Sequence, residues 1–327
     1  MAVMSVLEAA REAMREEMRR DTSVFIMGED IAARGGVFLA TDGFLEEFGE
    51  ERVIDTPLAE SAIAGIALGA AMHGMRPIAE IEFADFIWPT FNQIVGEAAR
   101  VRYGTDGVLS APMVLRAPYG GGVRGGLFHS QSPEAYFAHT PGLKVVTPAT
   151  PYDTKGLLKS AIRDDDPVVF LEHKRTYRLV RGEVPDGDYT IPIGKADVKM
   201  EGDDISVITY GLTMHLCLEA ARNLEDEGLS VEVLDLRTLL PLDEEAILAT
   251  ARKTGKVLIV HEDTMAGGIG GEVSAIIAEH AFDHLDAPIK RLGGPQVPAM
   301  PFSPPLEAMY MPNTDKISDA MRKLASY

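Results

Sequence analysis

Helix-like and strand-like segments alternate along nearly the whole chain, which predicts an α/β protein built on largely parallel sheets. Two further observations support that class. Val168-Val169-Phe170-Leu171 is apolar throughout, the pattern of a strand buried on both faces. The length of 327 residues also suits two domains of ordinary size, each able to bury a core.

In chain order, residues 3–19 put Val3, Val6, Leu7, Ala10, Met14 and Met18 near one helical face. A short apolar strand is expected over 24–27. A helix rich in Ala and Gly follows over 61–72, and Gly65 and Gly69 leave one of its faces without bulk. That face suits tight internal packing or a subunit contact. Strands are expected over 78–81, 113–115, 144–146 and 168–171, with helices over 89–101, 133–139 and 152–163 between them. Residues 181–203 hold Gly182, Pro185, Gly187, Pro192, Gly194 and Gly202, and read as a crossover linker between domains 1–180 and 204–327. The second domain repeats the alternation, with strands over 205–210, 230–234, 256–261 and 288–291. Its helices are expected over 213–227, 243–253 and 271–281. A Pro-rich stretch over 295–305 leads to a last helix over 314–325.

Composition narrows the function classes. A net charge of -19 argues against a nucleic-acid partner, because phosphate binding needs clustered Lys and Arg. The same acidity gives no polybasic footing on a membrane, and no apolar run reaches the ~18–20 residues of a span. It suits solubility or docking to a basic partner. The single cysteine, Cys217, lies in an apolar helical stretch, so a disulfide framework and a Cys-based zinc site are excluded. Glu8, Glu12, Glu16 and Glu17 argue against a transit peptide. A bacterial cytoplasmic protein is expected, or one of the mitochondrial matrix if the source is eukaryotic.

Gly120, Gly122 and Gly125 satisfy G-x-G-x-x-G after a strand, yet Pro133 arrives before any long helix, so a dinucleotide fingerprint is not expected. Neither a P-loop nor an H-E-x-x-H motif is present. Three segments carry chemistry-bearing residues. In Asp55-Thr56-Pro57-Leu58-Ala59-Glu60-Ser61, Glu60 stands at a helix start, where a carboxyl favours the helix dipole or reaches a ligand nitrogen. In Glu80-Ile81-Glu82-Phe83-Ala84-Asp85-Phe86, the aromatic rings suit core packing or stacking on a flat cofactor. In Gly125-Gly126-Leu127-Phe128-His129-Ser130, His129 beside a glycine run is either a structural residue or a proton carrier.

Together and in this order, these segments closely resemble the beta subunits of the pyruvate and branched-chain 2-oxoacid dehydrogenase decarboxylase component. Met27-Gly28-Glu29-Asp30, Pro141-Gly142-Leu143-Lys144-Val145-Val146 and Val233-Leu234-Asp235-Leu236-Arg237-Thr238 with Pro241 extend the resemblance over essentially the whole chain. Arg34-Gly35-Gly36-Val37-Phe38 and Phe83-Ala84-Asp85-Phe86 give it a branched-chain character.

The resemblance implies a thiamine-diphosphate-binding pyrimidine domain with a parallel sheet, followed by a transketolase C-terminal-like α/β domain. It implies a heterotetramer of two alpha and two beta chains, with the cofactor where alpha and beta meet. The alpha subunit would supply the magnesium and diphosphate site through a Gly-Asp-Gly motif. This chain lacks that motif, since Gly187-Asp188 is followed by Tyr189. By the same resemblance, Glu60 hydrogen-bonds the aminopyrimidine ring, Phe86 packs on it and Leu58 lines the pocket. Glu82 stands where many branched-chain relatives carry Gln. His129 faces the reacting centre and serves the incoming lipoyl group. A structural potassium ion is implied near Met113, Ala161, Ile162, Asp164 and Asp166. The second domain is expected to dock a lipoyl acyltransferase core through its peripheral subunit-binding domain. The expected reaction is oxidative decarboxylation of a branched-chain 2-oxoacid of the 2-oxoisovalerate type, with acyl transfer. The alternatives are a pyruvate or acetoin enzyme of the same build, and a non-catalytic scaffold subunit.

Overall fold

The computed structural model describes all 327 residues. The chain divides into two units, Met1–Tyr119 with Tyr136–Ile193, and Gly120–Ala135 with Gly194–Tyr327. The glycine-rich loop therefore folds with the second unit, although it interrupts the first in sequence.

In the first unit, six parallel strands lie in the order Lys144–Val146, Val168–His173, Val114–Tyr119, Arg76–Glu80, Val24–Gly28 and Val53–Asp55. The central strands are buried along their whole length, as the covered faces of a parallel sheet require. One face is covered by the helices Val6–Arg20 and Pro151–Arg163. Met14, Met18, Leu157 and Ile162 join Val24, Ile26, Val114 and Phe170 in a single core. Buried ammonium groups tie these helices together, with Lys155 Nζ and Lys159 Nζ each 2.6 Å from a Glu16 oxygen. The first helix opens on a reciprocal cap, Ser5 accepting from Glu8 N–H and Glu8 accepting from Ser5 N–H. The small-residue helix, Glu60–Met72, packs on the strands Arg76–Glu80 and Val24–Gly28.

Three expectations change. Residues 181–203 are more than a linker: Arg181–Val184 pairs antiparallel with Ala2–Ser5, and Asp197–Met200 forms the edge of the second sheet. The helix expected over 89–101 is broken. Asn92–Glu97 forms a π turn flanked by 3-10 turns, with the weak helix former Gly96 inside it. The N-terminal helix begins at Val6 rather than residue 3, because Ala2–Ser5 is held as a strand.

The second unit carries a sheet in the order Lys290–Gly294, Val257–Thr264, Ile205–Thr209, Val231–Asp235 and Asp197–Met200, parallel except for that last edge strand. Its core joins Val207, Val233 and Leu258 to Cys217, Leu224, Ile317 and Met321 from the helices Leu212–Glu225 and Thr314–Ala325. Cys217 is a buried free thiol, as its apolar setting predicts.

Beneath the carboxyl ends of the first sheet lies a buried charge network. Arg116 is wholly buried, with Nη1 2.6 Å from Glu80 and Nη2 2.5 Å from Glu172. Tyr177 Oη donates to Glu172 at 2.6 Å. Burial raises the Glu80 carboxyl, Arg116 pulls it down and Glu172 raises it again. Removing one partner from such a group strands charge in a low-dielectric interior. Arg116→Met is therefore expected to cost about 3–5 kcal/mol of unfolding free energy, read from urea denaturation of the purified chain.

Candidate functional site

Strand order reverses at Val24–Gly28. From there the chain goes first to Val53–Asp55 on one side, then back across to Arg76–Glu80 on the other. In an open α/β sheet, such a switch point leaves a crevice at the carboxyl ends of the strands, the usual place for a ligand. Gly28 and Glu80 are register partners there. A Cβ on Gly28 would meet the Glu80 carbonyl oxygen at 2.8 Å, so glycine is what lets these two strand ends close up.

Three glutamates gather at this edge, each just past one of the three strands that border the switch. Glu29 follows Val24–Gly28. Glu60 opens the helix after Val53–Asp55. Glu82 follows Arg76–Glu80. The Glu29 carboxyl is pushed up to about 7, first by burial, then by the negative charges of Glu60, Glu82 and Asp30. A hydrogen bond from the Ala59 backbone pulls the other way. Glu60 occupies the first turn of a helix whose N-cap, Ala59, offers no side-chain acceptor, so the free N–H groups there favour nearby negative charge.

Behind the glutamates stands an aromatic chain. Tyr177 and Phe38 rings lie 5.2 Å apart, Phe38 and Phe83 5.5 Å, and Phe83 and Phe86 5.9 Å with an edge-on tilt. Since Tyr177 also bonds Glu172, this chain joins Phe86 to the buried Arg116 network. Phe86 is half-buried, and Leu58 is 81% exposed, a large apolar side chain left uncovered beside the acids. The structure thus gathers Glu29, Glu60 and Glu82 around one edge. Glu29 was not singled out from sequence. The available signal was an acid placed immediately after the apolar strand Val24–Gly28.

His129 belongs to the second unit, half-buried at the end of a short turn, Gly126–Phe128. A Cβ on Gly125 would sit 2.6 Å from the His129 carbonyl oxygen, so the turn before the histidine closes only around glycine. Glu134, wholly buried, is raised well above the carboxylate range by burial and by the charges of Asp263 and Glu262; Tyr210 Oη donates to it at 2.9 Å. His261 is lowered to about 4 by burial and stays neutral. Its ring is walled by Gly268, Gly270 and Gly293, which makes it a packed core residue.

The segment considered for potassium is differently occupied. Lys144 Nζ lies 2.6 and 2.7 Å from the two Asp164 carboxylate oxygens and 3.4 Å from Asp166. Arg76 donates to the Ile162 and Asp164 carbonyls, and Arg102 pairs with Asp166. Fixed cations of the chain pair with these carboxylates. Asp188, in the Gly-Asp-Tyr sequence, pairs with Arg163 at 2.8 Å.

Residues 2–180 match the family described as transketolase, pyrimidine binding domain, and residues 194–317 match transketolase, C-terminal domain. The chain is 63% identical over 327 residues to the 2-oxoisovalerate dehydrogenase subunit beta of Bacillus subtilis, covering 100% of both chains. The chain belongs to the transketolase-like beta subunits of 2-oxoacid dehydrogenases. It is also 47% identical, again over 100% of both chains, to the pyruvate dehydrogenase E1 component subunit beta of the same bacterium. Among solved structures, a split-gene transketolase described as an inactive beta4 tetramer shares the fold. Its TM-score is 0.80 at 24% identity, covering 99% of this chain and 98% of that one. This beta-subunit family depends on thiamine diphosphate. No helix is long and apolar enough to cross a membrane.

The residues at the switch point fit that cofactor. An aminopyrimidine ring offers nitrogens to acids and a flat face to an aromatic side chain, and both are present. The raised Glu29 carboxyl also gives a test. It holds a proton in the folded state that the unfolded chain releases above its ordinary value of 4.5. The folded form therefore loses part of its stability as pH rises from about 4.5 through about 7. Glu29→Gln is expected to remove that part of the slope, read as urea midpoints of the purified chain across this window.

Proposed function

We propose that this chain is the beta subunit of a branched-chain 2-oxoacid dehydrogenase, acting on a 2-oxoacid of the 2-oxoisovalerate type. The observation that carries this reading is the gathering of Glu29, Glu60 and Glu82 at the switch point. The 63% identity to a 2-oxoisovalerate dehydrogenase subunit beta supports the substrate class over pyruvate.

When bound, thiamine diphosphate supplies the electron sink that lets carbon dioxide leave a 2-oxoacid. Glu60 would hold a proton between its carboxyl oxygen and a ring nitrogen. Glu29, titrating near 7, keeps a second proton at the same edge. An acid raised toward neutral pH beside the cofactor ring suits a proton-sharing role. Phe86, buttressed by Phe83, would offer its open face to the ring, and Leu58 would cover it. Glu82 adds negative charge that keeps Glu29 protonated. His129 would orient the substrate and the lipoyl group that takes up the acyl chain.

Magnesium and the diphosphate belong, in this reading, to an alpha subunit in a heterotetramer of two alpha and two beta chains. The absence of a Gly-Asp-Gly motif here and the ion-paired state of Asp188 support that division. A potassium ion, if the assembly carries one, would rest on backbone carbonyls such as Met113 and Ala161. Each accepts one N–H and keeps a second lone pair. The acidic second unit would meet a basic peripheral subunit-binding domain of the lipoyl acyltransferase core.

The test is reconstitution. The chain alone is expected to be inactive, and to turn over 2-oxoisovalerate in preference to pyruvate once alpha subunit, magnesium and thiamine diphosphate are added. Glu60→Gln should lower kcat of that assembly by about 10²–10⁴-fold. Undiminished turnover in that variant would instead favour a scaffold role.

A further inference from the structure

The glycine-rich loop that carries His129 is gripped by two distant carboxylates. Glu262, 3% exposed at the end of a central strand of the second sheet, accepts the Gly121 N–H at 2.6 Å and the Ser132 hydroxyl at 3.1 Å. Glu307, 7% exposed on the short helix Pro304–Tyr310, accepts the Gly122 N–H at 3.0 Å and the Arg124 N–H at 3.1 Å. Within the loop, Gly120 N–H donates to the Gln131 carbonyl at 2.9 Å, closing a ring of residues with His129 inside it.

The backbone at the grip is not one the loop would choose unaided. Gly120 and Gly122 have φ of 88° and 75°, and Arg124 has φ of 60°, a conformation that costs a side-chain-bearing residue free energy. Such a conformation persists only where its surroundings over-determine it. Glu307 bonds this residue's own N–H. Packing agrees: a Cβ on Gly121 would lie 2.5 Å from Met300 Cε, and one on Gly126 would lie 3.2 Å from Phe302. The loop is therefore seated on side chains from the Pro-rich stretch and held down by acids on either side of it. A carboxylate that accepts two N–H groups makes bonds roughly twice as strong as neutral ones.

We propose that Glu307, with Glu262, is a positioning residue: the two carboxylates grip the loop backbone at Gly121, Gly122 and Arg124 and so fix where His129 stands. This rests on the reading of His129 as the group that faces the reacting centre. Neither acid touches substrate in this reading; each acts through the loop.

The test uses the assembled enzyme with its alpha subunit, comparing wild type, Glu307→Leu, Glu307→Gln and His129→Ala. Hydrogen exchange of the peptide spanning residues 120–132 is read beside kcat and KM. Glu307→Leu is expected to speed exchange in that peptide by about 10²-fold, since two charge-assisted bonds are lost. It should lower kcat by at least about tenfold with little change in KM, the mark of an interaction that matters in the transition state. Glu307→Gln keeps an acceptor oxygen and should restore both towards wild type. Should the leucine variant fail to assemble, Glu262→Met applies the same test at the other grip. Unchanged exchange in the acceptor-free variant would overturn the proposal. So would faster exchange with unchanged kcat, provided that His129→Ala is itself slow. If His129→Ala is as fast as wild type, the reading of the histidine fails instead, and the positioning role falls with it.

Discussion

The chemistry proposed for this chain depends on holding like charges together at the edge of a sheet. Glu29, Glu60 and Glu82 would repel one another in water, where each would be solvated and ionised. At the carboxyl ends of three strands they cannot separate, because each backbone is fixed by the parallel ladder. Burial first, and then the charges of Glu60, Glu82 and Asp30, push the Glu29 carboxyl up to about 7. A proton kept at neutral pH beside a second acid is what an acid–base function needs, and here it follows from strand order.

Below that edge the fold carries a compensating charge. Arg116 is pinned between Glu80 and Glu172, so a buried guanidinium stands between two buried acids. Burial and Glu172 both raise Glu80, and Arg116 opposes them. The network also reaches the pocket wall mechanically. Glu172 holds Tyr177, whose ring meets Phe38, then Phe83, then Phe86. Charge and aromatic packing thus converge on the side chains that would receive the cofactor ring. A buried ion network is weak evidence for stability, but here it fixes the position of a wall.

Much of this was legible in the sequence. The alternation of apolar runs and helices gave the correct class, and the strands at Lys144–Val146 and the helix at Thr314–Ala325 fall where expected. Short apolar runs bounded by turn residues are locally determined, so they read well. The pairing of Ala2–Ser5 with Arg181–Val184 did not, because Val3 continues the apolar face of the following helix and Arg181–Val184 has no apolar pattern of its own. Nor did the broken path of residues 88–104, where local propensity yields to packing against the helix Glu60–Met72. For the site, Glu60, Phe86 and His129 stand in motifs that imply a role, whereas Glu29 stands in the motif Met27-Gly28-Glu29-Asp30 with no role implied.

Sequence by itself determined the α/β class, the two-domain order, the lack of a diphosphate motif and the acids at the strand ends. All are written in runs of a few neighbouring residues. Tertiary structure alone decided which of those acids meet, and which keeps its proton. It also decided that Asp164 and Asp166 pair with Lys144, and that acids 141 and 185 residues away accept hydrogen bonds from the glycine loop. A proton affinity or a hydrogen bond depends on what lies within a few ångströms. Where the partner is distant in the chain, that neighbourhood exists only once the sheet has formed.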